Sequence, residues 1–474
     1  MVLTSTLQLF SDPATAAIFE SVGAADQTLA SDAIQAAAAA HKLWSASPAA
    51  ERSGVLFRLF DLMQEHADTL AEVMTLESGK PMTESQGEVQ YAASYVRWFA
   101  AEARRAYGST IPGPSSSHNM LTLQQPVGVC ALITPWNFPL AMLARKVAPA
   151  IAAGCASVLK PAEDTPVSAL LFAALAQDAG LPAGVLNVIP CERQDTASIG
   201  ELLCASPDIA KVSFTGSTAV GKLLLQQCAD TCKKTSMELG GNAPLIVFND
   251  ADIEKAVQGT LDSKFRFGGQ TCVSANRVMV QEGVLQEYLD LLSQRVSDMT
   301  LGDPMQHATR LGPLINQQAA DKAQRLRKDA LAKGAEALTG GDSELQGLPE
   351  GLKGGYFVPP TVLSGVTSAM ACSQEEVFGP IAAVSSFACE DEVLQRANDT
   401  RTGLAAYVFT RNMARSWRMS KGLQAGMVAV NDGLLSSEAA PFGGVLESGL
   451  GREGGASGLG EYMETKYVLM NSSD

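Results

Sequence analysis

An α/β fold built on a doubly wound parallel sheet, with a second α/β unit behind it, is predicted for this chain of 474 residues. Three observations predict it. Between about 127 and 229, short β-branched runs alternate with helical stretches across short loops, the pattern of a parallel sheet covered on both faces. A second alternating region follows from about 245 to 445. The turn Gly216 to Gly221 joins a strand to a helix, where backbone amides can meet a phosphate. It is not Gly-x-Gly-x-x-Gly, and by itself it fits a plain strand–helix turn as well as a nucleotide site.

Residues 31–105 are Ala-rich, with apolar positions at three- and four-residue spacing, and read as helical. Ile111-Pro112-Gly113-Pro114 and three serines break that pattern. Met120 to Gln124 and Val127 to Ile133 read as strands, as do Val158-Leu159, Val185 to Ile189 and Lys211 to Phe214. Helices are expected over Thr165 to Ala179, with Thr165 as N-cap and Pro166 first, and over Thr218 to Ala229. In the second region helices are expected at Ala251 to Phe265 and Gln317 to Lys333, and strands at Arg277 to Val280 and Ala405 to Phe409. A glycine-rich stretch, Gly449 to Gly460, leads into a final strand, Tyr462 to Met470.

Bulk properties narrow the functions. The length implies two or three domains. Hydrophobic residues at 46% against 18% charged fit a well-buried globular protein. A net charge of −15 argues against nucleic acid, because phosphates need a basic surface. Nine cysteines without Cys-x-x-Cys pairing point to a reducing compartment and a cytoplasmic location. Cys228 and Cys232 are spaced to share a helix face, but no histidine accompanies them, so no metal site is expected. Met1 to Phe10 has no signal-peptide pattern, and no apolar run is long enough to span a membrane. All four histidines lie outside the motifs described next.

The most informative stretch is Lys264-Phe265-Arg266-Phe267-Gly268-Gly269-Gln270-Thr271-Cys272-Val273, a cysteine beyond a Gly-Gly turn with an arginine six residues before it. Upstream lie Thr134-Pro135-Trp136-Asn137-Phe138-Pro139, Lys160-Pro161-Ala162-Glu163, Phe214-Thr215-Gly216-Ser217 and Met237-Glu238-Leu239-Gly240-Gly241. Glu375-Glu376-Val377-Phe378-Gly379-Pro380 follows. In this order the motifs resemble the aldehyde dehydrogenase superfamily from about residue 10 to the C-terminus. The tail Gly433-Leu434-Leu435-Ser436, with Pro441 to Gly444 and Gly449 to Gly454, is similar to the succinate-semialdehyde dehydrogenase branch.

The resemblance implies an NAD-binding domain from 1–107 and 127–240, and a catalytic domain from 241–445. It also implies a small oligomerisation element from 108–126 and 455–474, in a homodimer or homotetramer. Cys272 is implied as nucleophile, Asn137 as oxyanion donor and Glu238 as general base. Each residue type suits that chemistry, since a thiolate attacks well, an amide N–H donates, and a carboxylate among apolar neighbours can have a raised pKa. Trp136, Lys160, Glu163, Gly216, Ser217, Gly240, Glu376 and Phe378 would hold the cofactor, NAD in preference to NADP because Glu163 repels a 2′-phosphate. Arg145, Arg266 and Ser436 would bind the carboxylate of succinate semialdehyde. Arg145 lies eight residues beyond Asn137, a spacing that two helical turns would place on one face.

Glutarate semialdehyde, one methylene longer, competes as substrate. A CoA-acylating activity is disfavoured by Glu238, and a cysteine esterase by the set Lys160, Glu163 and Gly216. Three residues depart from the branch: Phe267 where Asn is frequent, Ser274 where many members have a second cysteine, and Leu446 where Lys is usual.

Overall fold

The computed structural model describes residues 7–341 and 343–472, so residues 1–6, where no signal peptide is expected, and 473–474, at the end of the expected oligomerisation element, lie outside it. The first sheet has six strands in the order Gly449–Leu450, Lys234–Glu238, Ile209–Thr215, Val129–Ile133, Ala156–Lys160, Leu186–Val188. Five run parallel, and only Gly449–Leu450 is antiparallel to its neighbour. Val129–Ile133 and Ala156–Lys160 are buried along their whole length, as central parallel strands covered on both faces must be. The chain enters at Val129–Ile133, builds outward to one side, and returns to the other at Ile209–Thr215. That reversal opens a crevice beyond the carboxyl ends of these two strands. Thr134 to Asn137 and Gly216-Ser217 leave the sheet there.

Four helices account for the Ala-rich N-terminal region: Gln27–Trp44, Ala49–Glu65, Ala67–Ser78 and Met82–Glu102. Asp26 caps the first by accepting the Leu29 N–H at 2.8 Å. Helix Ala141–Ala153 is buried on every side, and so lies in the middle of the core beneath the crevice.

The second sheet runs Glu336–Ala337, Thr361–Ser364, Ile381–Phe387, Ala275–Gln281, Ala243–Val247, Ala405–Phe409, Met427–Val430, parallel except for its first strand. A third sheet of three strands joins Met463–Asn471, His118–Pro126 and Thr110–Pro112. Among the described residues, no helix is long and apolar enough to cross a membrane.

Several expectations from the sequence change. The break at 111–117 is half strand, because Thr110–Pro112 pairs with His118–Pro126 and leaves only the turn irregular. Thr165 does not cap its helix. The first amides of Val167–Asp178 are taken by Glu77, which accepts from Val167 N at 2.9 Å and Ser168 N at 3.2 Å from ninety residues away. Cys228 ends its helix, and Cys232 lies beyond it at φ +50°, so the two share no helix face. The helix expected over Ala251 to Phe265 is α-helical only at Ile253–Thr260, then widens to a π-turn at Leu261–Phe265. The hairpin of Leu7–Ser11 with Ile18–Gly23 carries no signal in the sequence pattern.

Candidate active site

A cleft of about 680 Å³ opens at the crevice and extends to the second sheet. Trp136, Asn137, Arg145, Glu163, Gly216, Ser217, Glu238, Gly240, Arg266, Cys272, Glu376, Phe378 and Ser436 all line it. Lys160 does not. It is buried behind the wall, with Nζ 2.5 Å from Glu163 Oε1.

The segment that delivers Cys272 is held by its backbone. After the π-turn, Phe267, Gly268 and Gly269 take φ +47°, +59° and +76°. Gly269 is required, because a Cβ there would run into the Gly379 carbonyl. Gln270 bolts the turn internally, accepting from Ile315 N at 3.0 Å and donating to Phe267 O at 3.2 Å. Cys272 lines the cleft and is partly exposed as a residue. Burial pushes its pKa up to about 12, partly opposed by Arg145.

Asn137 sits in the loop before helix Ala141–Ala153, not on the helix, so the two-turn relation to Arg145 does not hold. Its amide Nδ2 donates to the Gln270 carbonyl at 2.8 Å, which places it against the nucleophile turn. Glu238 ends strand Lys234–Glu238. It is buried, and its Oε2 has no hydrogen-bond partner. Desolvation raises its pKa well above the usual range, the nearby Glu453 raises it further, and Arg145 and Lys146 oppose the rise.

The long arm of the cleft fits a dinucleotide. Ser217 caps helix Thr218–Cys228 through Val220 N, leaving the first-turn amides beside the cleft. Gly240 makes room for a close approach, since a Cβ there would sit 2.9 Å from Glu376 Oε2. Glu376 accepts from Gly241 N at 3.4 Å, and burial pushes its pKa up to about 7. Glu163 accepts from Thr196 Oγ1 at 2.6 Å as well as from Lys160. Burial pushes its carboxyl up, but Lys160 and these hydrogen bonds outweigh that and hold it below the usual range. Trp136 packs edge-on against Phe378, 5.6 Å between centroids, and against Phe267 at 6.2 Å.

The two arginines differ. Arg145 is 1% exposed, lies 3.8 Å from the Phe442 ring centre, and has Nη2 2.6 Å from Glu453 Oε2. Arg266 is half-buried, and its Nε has no hydrogen-bond partner. Ser436 is also half-buried and, like Phe442, lines the cleft.

Residues beyond the motifs shape the site. Glu453 joins Arg145 to Lys146, whose Nζ is 2.6 Å from Glu453 Oε1. Two adjacent cations inside an otherwise apolar helix required a buried anion, a signal available in the sequence. Lys80, Glu84 and Glu88 pack behind Asn137 and Phe267, and in the sequence look like ordinary charges on a helix.

A model of the aldehyde dehydrogenase family matches residues 5–468. The chain is 48% identical over 459 residues to a mitochondrial succinate-semialdehyde dehydrogenase of Arabidopsis thaliana, covering 97% of this chain and 85% of the relative. It is 49% identical over 446 residues to an NADP(+) succinate-semialdehyde dehydrogenase of Escherichia coli K12, covering 94% and 90%. A crystal structure of succinate-semialdehyde dehydrogenase from Burkholderia pseudomallei superposes with a TM-score of 0.95 at 46% identity, covering 99% of this chain and 96% of that one.

Proposed function

The chain belongs to the aldehyde dehydrogenase family, and from that premise we propose that it oxidises succinate semialdehyde to succinate with a nicotinamide dinucleotide. One observation carries the reading: Cys272, the Asn137 amide and a Glu238 carboxylate oxygen without a protein partner line one cleft, with two arginines beside them. The names of the relatives support the same substrate.

Glu238 takes the thiol proton of Cys272, directly or through water, and the thiolate adds to the aldehyde carbon. Asn137 Nδ2 and the Cys272 N–H donate to the oxygen that gains charge in the tetrahedral adduct. Asn137 Nδ2 carries two N–H donors, so one can hold the Gln270 carbonyl while the other serves the oxyanion. The cofactor, when bound, supplies the acceptor for the hydride. Glu238 passes the thiol's proton to solvent and, ionised again, removes a proton from the water that attacks the thioester on Cys272. The tetrahedral adduct then expels the thiolate, which takes a proton back, and the acid is released. Ser217, Gly216 and Gly240 would hold the dinucleotide's phosphates, Glu163 its adenosine ribose, and Glu376 its nicotinamide ribose. Arg266 and Ser436, with Arg145 at the base of the pocket, would hold the substrate carboxylate. The third sheet would join subunits of a homodimer or homotetramer, and nine free cysteines suit a reducing cytoplasm.

Steady-state kinetics on aldehydes with and without a terminal carboxylate, against NAD and NADP, test the reading. A strong preference for the carboxylate-bearing aldehyde is expected. Equal kcat/KM for succinate semialdehyde and butyraldehyde would overturn it.

A further inference from the structure

Behind the cleft, and not lining it, the turn before helix Met82–Glu102 and the first two turns of that helix present Lys80, Glu84 and Glu88. Lys80 and Glu88 are buried and form an ion pair. Lys80 Nζ also donates to the Asn137 carbonyl at 2.9 Å, and lies 3.9 Å from the Phe138 ring centre and 4.4 Å from that of Phe267. Glu88 Oε1 accepts from Leu140 N at 3.0 Å and Ala141 N at 3.1 Å, so it caps the helix that follows Asn137. Glu84 Oε2 accepts the Phe267 N–H at 2.7 Å, in the turn that delivers Cys272. One short stretch of chain therefore tethers both the oxyanion donor's backbone and the nucleophile's turn.

The tether at Phe267 opposes a cost. A phenylalanine at φ +47° is in a region that bulky L-residues avoid, where asparagine is better tolerated. The bond from its amide to the Glu84 carboxyl oxygen offsets that strain.

We propose that Lys80, Glu84 and Glu88 form a positioning unit that fixes the Asn137 amide against the Cys272 turn, and that the Glu84 bond holds Phe267 in its left-handed conformation. The inference rests on the roles given above to Asn137 and Cys272. None of the three charges touches the reacting atoms. Lys80 acts through the Asn137 carbonyl, Glu88 through the amides of Leu140 and Ala141 that follow it, and Glu84 through the Phe267 amide in the turn that delivers Cys272.

The test compares wild type, Glu84→Ala, Glu84→Gln, Phe267→Asn and the double variant Glu84→Ala/Phe267→Asn by kcat, by NAD dissociation constant from fluorescence titration, and by thermal melting. Glu84→Ala should lower kcat about a hundredfold, the scale of an ångström of misplacement, with NAD affinity unchanged. Glu84→Gln keeps an acceptor oxygen and should stay close to wild type. In the Phe267→Asn background the same Glu84→Ala change should cost less than about fivefold, because asparagine adopts the conformation without the tether. Equal cost in both backgrounds, or Glu84→Gln as impaired as Glu84→Ala, would overturn the proposal. If Glu84→Ala does not fold, Glu84→Asp withdraws the oxygen by one methylene and keeps the charge. It should lose kcat and be rescued by Phe267→Asn, and normal kcat in Glu84→Asp overturns the idea. Lys80→Met should lower kcat and leave NAD affinity intact. Asn137→Ala separates the two proposals. If it retains wild-type kcat, the catalytic assignment fails. If it is inactive while Glu84→Ala is not, only the positioning unit fails.

Discussion

Burial raises the pKa of Cys272 to about 12 and that of Glu238 well above the usual carboxylate range. The reactive combination needs Glu238 ionised so that it can accept the thiol proton. Its ionised fraction grows as pH rises toward its elevated pKa, and so does the small thiolate fraction. The kcat/KM should therefore climb with pH above the range in which an ordinary glutamate titrates. Glu238→Gln should flatten that climb and lower kcat by at least about a hundredfold. A pH-independent wild type, or a Glu238→Gln variant with the same profile, would remove Glu238 from the base role. The arginines divide in a similar way. Arg145 is fully buried and ion-paired to Glu453, whereas Arg266 is half-buried at the cleft wall and, among the described residues, has no ion pair. Arg266→Ala should thus act on substrate, costing succinate semialdehyde about tenfold to a hundredfold in kcat/KM and sparing butyraldehyde. Arg145→Ala should act on the fold as well, because it strips Glu453 of one of two buried partners. A loss on the order of 3 kcal/mol in denaturant unfolding is expected. Identical stability in the two variants would contradict this division. Glutarate semialdehyde should remain a substrate, since one methylene is worth only about 1–3 kcal/mol of discrimination.

The loop after strand Ala156–Lys160 carries the residue proposed to discriminate between NAD and NADP. Lys160 and Thr196 keep Glu163 ionised at the cleft wall despite its burial, and a dianionic 2′-phosphate would meet that charge. NAD should have the higher kcat/KM, and Glu163→Ser should narrow the gap by about tenfold or more by removing the repulsion. An advantage for NADP in the wild type would mean that Arg193, which lines the cleft, reads the ribose instead. This loop was legible in the sequence because each strand end carries a residue type that its chemistry demands. The same holds for Gly216-Ser217, Met237 to Gly240 and the Cys272 turn. Partners set by distant packing were not legible. Glu77 caps a helix ninety residues on, Glu88 caps one that starts fifty-three residues on, and Glu453 reaches back to Arg145 across more than three hundred. Nothing local distinguishes those glutamates from solvated ones. The π-turn at Leu261–Phe265 was hidden too, since its residues read as ordinary helix until the packing of the Cys272 segment widens the turn.

The three sheets leave one surface uncovered in a single chain. The third sheet ends at Met463–Asn471, a strand of nine residues paired on one side only, to His118–Pro126. Tyr467, Leu469 and Met470 on it are about half exposed, and Leu123 on the neighbouring strand is 44% exposed. A long edge strand that carries exposed apolar side chains invites addition of another strand, and isolated proteins usually protect such edges with charge, proline or a bulge. Here Glu464 and Lys466 provide charge only at the start of the strand. A second copy that covers this edge would bury the apolar side chains, which makes a homo-oligomer the expected state. Light scattering of the purified protein should give a mass that is a multiple of 49.7 kDa. Tyr467→Lys/Leu469→Lys, which places two charges on one exposed face of the strand, should shift that mass downward. The cleft lies at the meeting of the other two sheets, so the smaller species should still bind NAD. A wild type of 49.7 kDa at micromolar concentration would show that the edge is tolerated uncovered, and an unchanged mass in the double variant would place the contact elsewhere.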